Sequence, residues 1–257
     1  MNVHPTAIID PQAEIGVDVT IGPYCVIGAA VVLGEGCWLQ NNVTLCGPSK
    51  IGARNRFYAY CSIGQQSQDL KYAGEPTYLE IGNENVFREF VTVSRATGKG
   101  NVTRIGNLGN FLAYSHIAHD CEVGDRVIFS NNGTLGGHVV VEEYAVLGGL
   151  TAVHQFCRIG KHAIAGGCTK IVQDVPPFLI VDGNPAEVRG VNLVGLERRG
   201  FSPDTIRALK EAYRILYRAK LNTKQALEEL GRNGLAEIPE VTDLMKFIER
   251  SERGIVR

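Results

Sequence analysis

Residues 15–28 read Ile15-Gly16-Val17-Asp18-Val19-Thr20-Ile21-Gly22-Pro23-Tyr24-Cys25-Val26-Ile27-Gly28. Its Ile-Gly pairs recur at every sixth residue, a spacing that matches neither the 3.6-residue period of a helix nor the two-residue alternation of a half-buried strand. A period of six describes a short strand followed by a bend, with one side chain per unit turned towards a shared core. Toward the N-terminus the same step meets Ile9 and Val3, and beyond Ile27 it passes Leu33, Leu39, Leu45, Ile51, Phe57 and Ile63. It resumes at Ile81, Phe87 and Val93, and again from Ile105 through Ile117, Leu135 and Val153 to Ile171. Only Asp69, Glu75 and Lys99 break it. They fall in GQQSQDLKYAGEPTYLE (64–80) and SRATGKGNVTR (94–104), which read as two loops extruded from the repeat.

Half of the in-register aliphatics are followed by glycine, which suits a tight corner that a side chain would obstruct. The residue four after each aliphatic is small or slim, and five of the seven cysteines (25, 37, 61, 121 and 157) occupy that slot. They therefore read as wall residues of a core rather than redox or metal groups, and the absence of any CxxC pair argues the same way. An odd, scattered set of thiols fits a reducing compartment, and no apolar run approaches the length of a membrane span. A soluble, cytoplasmic protein is expected. The net charge of -1 lends no support to nucleic-acid binding.

Three hexads close a triangular coil of 18 residues, and stacked coils share backbone hydrogen bonds. The period ends after Ile171 in VQDVPPFLIVDGNPAEVRG, an irregular exit rich in proline and glycine. Ser202-Pro203-Asp204 then supplies an N-cap, a first-turn proline and an acid at the positive end of a helix, followed by Ile206, Leu209, Tyr213 and Leu216 at helical spacing. Shorter helices are predicted over 223–230 and 241–250, broken by Gly231 and Pro239. The expected domains are a repeat unit over 1–190 and a small helical unit over 191–257.

The candidate chemistry lies near the middle of the chain. His116 and His119 flank Ile117, His138 follows Leu135 by three, and His154 follows Val153 by one. Ile117, Leu135 and Val153 are 18 apart, so these histidines are expected on one outward face of three successive coils. His119 can be a general base, since an unperturbed imidazole titrates near 6.5, with Asp120 as the acceptor that orients its ring. Gly136-Gly137 beside His138 leaves bare backbone that a ligand can approach. Zinc is the competing reading; three histidines spread over three coils hardly converge on one ion within a subunit, which leaves an intersubunit site as its open form.

The repeat resembles the hexapeptide-repeat acyltransferases, which implies a left-handed parallel β-helix, a sense opposite to the usual crossover preference. SQDLKYAGEPT, HIAHDCEVG, GGHVVV, GGLTAVHQF, GGC and the segment from QDVPPF to GVNLVGLERRGFS resemble the UDP-N-acetylglucosamine O-acyltransferases that open lipid A synthesis. That resemblance implies that His119 takes the proton of the glucosamine 3-hydroxyl, which attacks the thioester of an (R)-3-hydroxyacyl carrier protein. It implies an oxyanion donor at the Gly137 N–H, no covalent acyl-enzyme, and no metal or resident cofactor beyond the carrier's phosphopantetheine. Gln68, Asp69 and Lys71 would meet the sugar and phosphates. His116, His138, His154 and Gln155 would line the acceptor or acyl environment, Asn192, Arg198 and Arg199 the nucleotide end, and Gly167 would set acyl length by leaving a groove open. Val194 and Pro185 stand where the family often has glutamate and histidine, which bears on nucleotide affinity and chain length.

The resemblance also implies a homotrimer with sites between subunits, and an acidic acyl carrier protein as partner. Arg207, Lys210, Arg214, Arg218 and Lys220 outnumber Asp204 and Glu211 on the helix predicted after Ser202, which suits electrostatic steering of such a partner. A zinc carbonic anhydrase of the same fold, a non-catalytic scaffold, and an N-acyltransferase acting on a 3-amino sugar are the alternatives.

Overall fold

The computed structural model describes residues 1–257. Its strands are short, most of them two residues, and they stack into three parallel sheets, so that three strands and three bends make each coil. The first sheet carries Ile21, Leu39 and Phe57 inward, the second Ile27, Leu45 and Ile63, the third Leu33 and Ile51. The fold is a left-handed parallel β-helix followed by four helices.

The expected register holds through the coils. Ile117 pairs with Leu135, and Leu135 with Val153, at the 18-residue step. Across the first loop the step becomes thirty, as between Ile63 and Val93, and across the second it becomes twenty-four, as between Val93 and Ile117. The loops are therefore insertions of twelve and six residues into an otherwise continuous ladder. Inside, Phe57, Phe87 and Phe111 stack at centroid separations of 5.0 and 4.9 Å, and Phe129 meets Phe111 edge-on at 5.2 Å. Removing one such ring typically costs about 3–5 kcal/mol. Buried asparagines stitch one corner: Asn85 donates from its N–H and Nδ2 to Asn55 Oδ1, and Gly109 N–H donates to Asn85 Oδ1.

The corner glycines need space rather than unusual backbone. A β-carbon on Gly22 would lie 1.6 Å from the Gln40 carbonyl oxygen of the next coil. The left-handed conformation falls two residues later, on non-glycine positions such as Asp120 (φ 57°) and His138 (φ 60°).

Four helices follow: α1 (Leu193–Arg198), α2 (Pro203–Arg218), α3 (Thr223–Arg232) and α4 (Pro239–Glu249). Ser202 caps α2 as expected, its side chain accepting from Thr205 N–H, and Asn222 with Gln225 forms a capping box on α3. Two expectations are corrected. Gly231 does not break α3, which runs on to Arg232, because a single glycine near a helix end costs only about 1 kcal/mol. Pro239 starts α4 instead of interrupting it, since the first helical turn needs no N–H from that position. The repeat pattern also gave no sign of α1, or of the chain end returning to the coils, where Ile255 bridges Asp174 and Val256 joins the coil core. The helical core holds Phe178, Leu179 and Val191 of the exit segment, so the two units share their seam.

Candidate active site

Because Ile117, Leu135 and Val153 stack, the bends that follow them also lie one above another: 118–120, 136–138 and 154–156. Both insertions leave the coil at this same corner, after Ile63 and after Val93. They fold back over it.

His119 is consequently only 9 % exposed, although its side chain points away from the coil core. The expectation of an open outward slot is corrected on this point, and the insertions are the cause. Each ring nitrogen faces a carboxylate. Nδ1 lies 2.8 Å from Asp120 Oδ2, and Nε2 lies 3.9 Å from Asp69 Oδ2, beyond hydrogen-bond reach.

Asp120 is clamped by the second insertion. Its N–H donates to Thr103 Oγ1 at 2.9 Å, its Oδ2 accepts the Thr97 N–H at 2.9 Å, and its Oδ1 accepts Asn101 Nδ2 at 3.1 Å. The Thr97 hydroxyl is hydrogen-bonded to that of Ser67 in the first insertion, and Ser67 Oγ accepts the Asp69 N–H at 3.1 Å. A hydrogen-bonded chain results, His119 to Asp120 to Thr97 to Ser67 to Asp69, whose last carboxylate faces back towards His119 at 3.9 Å. Ser67, Thr97 and Asn101 escaped the repeat because insertions have no period, and Thr103 stands on the strand that resumes the ladder after the second one. The one available signal was that both insertions depart at the corner occupied by His119.

The other histidines do not share one face. His138 meets His119 edge-on at a centroid separation of 5.2 Å, lies flat on Phe156 at 4.6 Å, and brings its Nε2 to 3.8 Å from Asp120 Oδ2. His116 stands on the outer surface of the second sheet, its Nδ1 2.7 Å from Thr92 Oγ1. Burial, and then the neighbouring charge of His119, push its pKa below the ordinary imidazole value. His154 is exposed and pairs only with the carbonyl of the equally exposed Gln155, at 3.0 Å. Register aligned the coils correctly, but His116 lies on the strand and the other three histidines occupy different slots of the bend.

Gly137 is buried beneath His119, and a β-carbon there would lie 2.4 Å from the imidazole Cε1. Its N–H donates to no protein acceptor. Pro5, Pro11, Pro23 and Pro177 stand at the equivalent place, two residues after the inward aliphatic, on other coils. An amide that proline replaces elsewhere is not part of the ladder, so at Gly137 it is uncommitted.

In the first insertion Gln68 and Lys71 are exposed and Asp69 half-buried, with the Lys71 N–H donating to Asp69 Oδ1 at 2.9 Å. Gly167 is exposed on the corner between the first and second sheets; a β-carbon there would be 3.4 Å from the Gly149 carbonyl, an ordinary contact.

Asn192, Arg198 and Arg199 lie at a third corner, around α1. The Asn192 side chain is 1 % exposed and fully used: Nδ2 donates to the His162 carbonyl at 2.9 Å, and Oδ1 accepts the Gly195 N–H at 3.1 Å as the α1 cap. Arg198 is exposed, as is Val194, while Arg199 lies 5.0 Å over the Tyr144 ring. Pro185 is exposed in the turn between Leu179–Asp182 and Glu187–Val191. Nearby His162 stacks against Tyr144 at 4.8 Å and Phe178 at 5.8 Å. Burial, then Arg199 and Lys161, push its pKa down to about 4.

His119, Asp120 and His138 are the group whose potential ligand atoms come within 4.8 Å of one another. His154 is not among them, as expected from the coil spacing. The five wall cysteines are buried, and burial pushes the thiols of Cys61 and Cys121 up to about 12 and that of Cys157 to about 11.

Comparison with known proteins agrees with this geometry. Residues 174–256 match a family described as UDP-N-acetylglucosamine O-acyltransferase, domain 2. The chain is 48 % identical over 256 residues to the acyl-[acyl-carrier-protein]--UDP-N-acetylglucosamine O-acyltransferase of Thiobacillus denitrificans, covering 99 % of each. Among solved structures, it is 43 % identical to the UDP-N-acetylglucosamine O-acyltransferase of Moraxella catarrhalis, with a TM-score of 0.95 over the whole of both chains. The Francisella novicida UDP-N-acetylglucosamine acyltransferase is 38 % identical, with a TM-score of 0.96 over 99 % of this chain and 94 % of that one. With a bend built around His119 and relatives matched end to end, the chain belongs to the UDP-N-acetylglucosamine O-acyltransferase family.

Proposed function

We propose that this protein moves an (R)-3-hydroxyacyl group from acyl carrier protein to the glucosamine 3-hydroxyl of UDP-N-acetylglucosamine, the first step of lipid A synthesis. Family membership supports the activity and both substrates. The observation that carries the mechanism is the pairing of His119 with Asp120 beside the uncommitted N–H of Gly137. Asp120 accepts from Nδ1–H and leaves Nε2 free to take the hydroxyl proton. The oxygen then attacks the thioester carbon, and the Gly137 N–H receives the developing oxyanion, a kind of donor worth about 3 kcal/mol where it has been removed elsewhere. Collapse expels the phosphopantetheine thiolate, which regains the proton held by His119.

No protein nucleophile enters this scheme, which fits wall cysteines held protonated by burial. A metal is likewise not invoked: the Asp120 oxygens are occupied by Thr97, Asn101 and His119. The relatives are acyltransferases, and they lend nothing to the carbonic anhydrase reading.

Asp69 and Gln68 are assigned to the sugar and Lys71 to the diphosphate, as a carboxylate and a lysine suit. His116, His138, His154 and Gln155 are assigned to the acceptor and acyl environment, and Gly167 to the acyl groove. Arg198 and Arg199 are assigned to the nucleotide end, with Asn192 acting through the cap that holds α1.

Three corners cannot serve one substrate from a single subunit, which supports a homotrimer with intersubunit sites. The outer rows agree. From Val86 on, the first sheet presents Val86, Asn110, Ile128, Val146 and Ile164, whereas from Lys50 on the third presents Lys50, Glu80, Arg104, Glu122, Val140 and Arg158. Tyr60, Phe90 and Tyr114 form an exposed stack at 5.0 and 4.9 Å between the first two sheets. Such apolar faces suit closure onto copies of the chain, and the charged one suits water.

On α2, Arg207 pairs with Asp204 and Arg214 with Glu211, leaving Lys210 and Arg218, with Lys220 just beyond the helix end, as the excess that would receive an acidic carrier protein. No helix is long and apolar enough to cross a membrane. We place the enzyme in the cytoplasm, a reading supported by seven free cysteines.

The test is a transfer assay with hydroxyacyl carrier proteins of graded chain length, read by mass spectrometry. A 3-O-acylated UDP-N-acetylglucosamine supports the proposal. Acylation at nitrogen of a 3-amino sugar, with none at a 3-hydroxyl, contradicts it.

A further inference from the structure

The second insertion does more than cover the site. Asp120 is the only residue seen to hold the His119 ring by a hydrogen bond, and the torsion that orients a carboxylate is broad unless both oxygens are engaged. Oδ2 is engaged by His119 Nδ1 and the Thr97 N–H. Oδ1 depends on Asn101 Nδ2 alone, at 3.1 Å. That same nitrogen donates to the Thr97 carbonyl at 2.7 Å, so one amide braces both the free end of the carboxylate and the backbone segment that grips its other end. The Asn101 side chain hydrogen-bonds only to Asp120 and the Thr97 carbonyl, and it lines one cleft with His138. It is itself exposed, outside both apolar cores.

We propose that Asn101 is a positioning residue for the reaction, acting through Asp120 to hold the His119 ring in its reactive orientation. The inference rests on the reading of His119 as base. Charge around the pair comes from several elements. Asp69 of the first insertion faces Nε2, His138 approaches Asp120 from the next coil, and His116 lies on the adjacent strand. Arg104 and Glu122 border the cleft shared by Asn101 and Asp120. Glu75 accepts from the Gly98 N–H within the second insertion.

Two substitutions separate positioning from a loose structural role. Asn101→Ala frees Oδ1, and kcat is expected to fall about 10–100-fold, with KM for UDP-N-acetylglucosamine changed by less than about twofold. Asn101→Asp sets a second carboxylate against Asp120 and so favours the protonated ring. The acid limb of its kcat–pH profile is expected to move up by about one unit, with activity recovering as pH is raised. The inference is overturned by an Asn101→Asp loss that is the same at every pH, by a change confined to KM, or by no loss in either variant. A His119→Gln control distinguishes the two levels. If that variant keeps its turnover, the base assignment fails. If it is inactive while both Asn101 variants behave as wild type, only the positioning role fails.

Discussion

Gly137 lies so close under the His119 ring that a β-carbon on it would sit 2.4 Å from Cε1 and 2.5 Å from Nε2. Backbone and imidazole are in contact at the place where the proposed base and the proposed oxyanion donor must cooperate. The glycine is required by the ring, since its own φ is not in the left-handed region.

Gly137→Ala should therefore displace the ring without unfolding the coils. Turnover is expected to fall by about 100-fold or more, because a displacement near 1 Å at a reacting group costs that much. Thermal unfolding by circular dichroism should change by only a few degrees. Normal turnover in this variant would show that the ring position is not critical.

Asp120→Asn should keep the bend, because asparagine tolerates the left-handed backbone found at φ 57°. The amide can present its NH₂ to Nδ1 and so favour the wrong tautomer, an exchange that costs about 10⁴-fold in a serine protease triad. A fall in kcat of about 10²–10⁴-fold is expected, with KM for the acceptor little changed, as measured by steady-state kinetics.

Gly167→Met should shorten the preferred acyl chain. A β-carbon at this position meets only the Gly149 carbonyl at 3.4 Å, so the fold does not demand glycine there. Competition between carrier proteins of different chain length should show the preference moving to shorter chains with an unchanged melting temperature. An unchanged length profile would remove Gly167 from the groove.

Stability should fall in mild acid because of His162. Its folded pKa is pushed down to about 4, below the ordinary value of 6.5. Between those values the unfolded chain binds the proton and the native chain does not, so the contribution is complete above pH 6.5 and lost as pH falls towards 4. At most it is roughly 3 kcal/mol. Denaturant midpoints from pH 7 to pH 4 should drop in the wild type and drop less in His162→Phe, which keeps the stack between Tyr144 and Phe178.

The coils were legible because one aliphatic in six must face inward, and 18 residues close a turn. Thus Ile117, Leu135 and Val153 could be stacked from their numbers alone. The same arithmetic identified the two insertions and the bend that carries His119. It could not separate slots within a bend, which is why His154 was grouped with His119 and His138. Nor could it find Thr97, Asn101 and Ser67, whose contacts join two aperiodic segments far apart in the chain. Asn192 shows the remaining gap: resemblance implies a place at the nucleotide end, whereas its part as the buried cap of α1 belongs to a six-residue helix with too short a pattern to read.

In the proposed reaction His119 takes the proton of the acceptor hydroxyl. The most direct test of that role is the transfer rate of His119→Ala with UDP-N-acetylglucosamine and a hydroxyacyl carrier protein, measured beside its thermal unfolding. A folded protein whose turnover has fallen by at least about 10²-fold is expected. Turnover near that of the wild type would contradict that role.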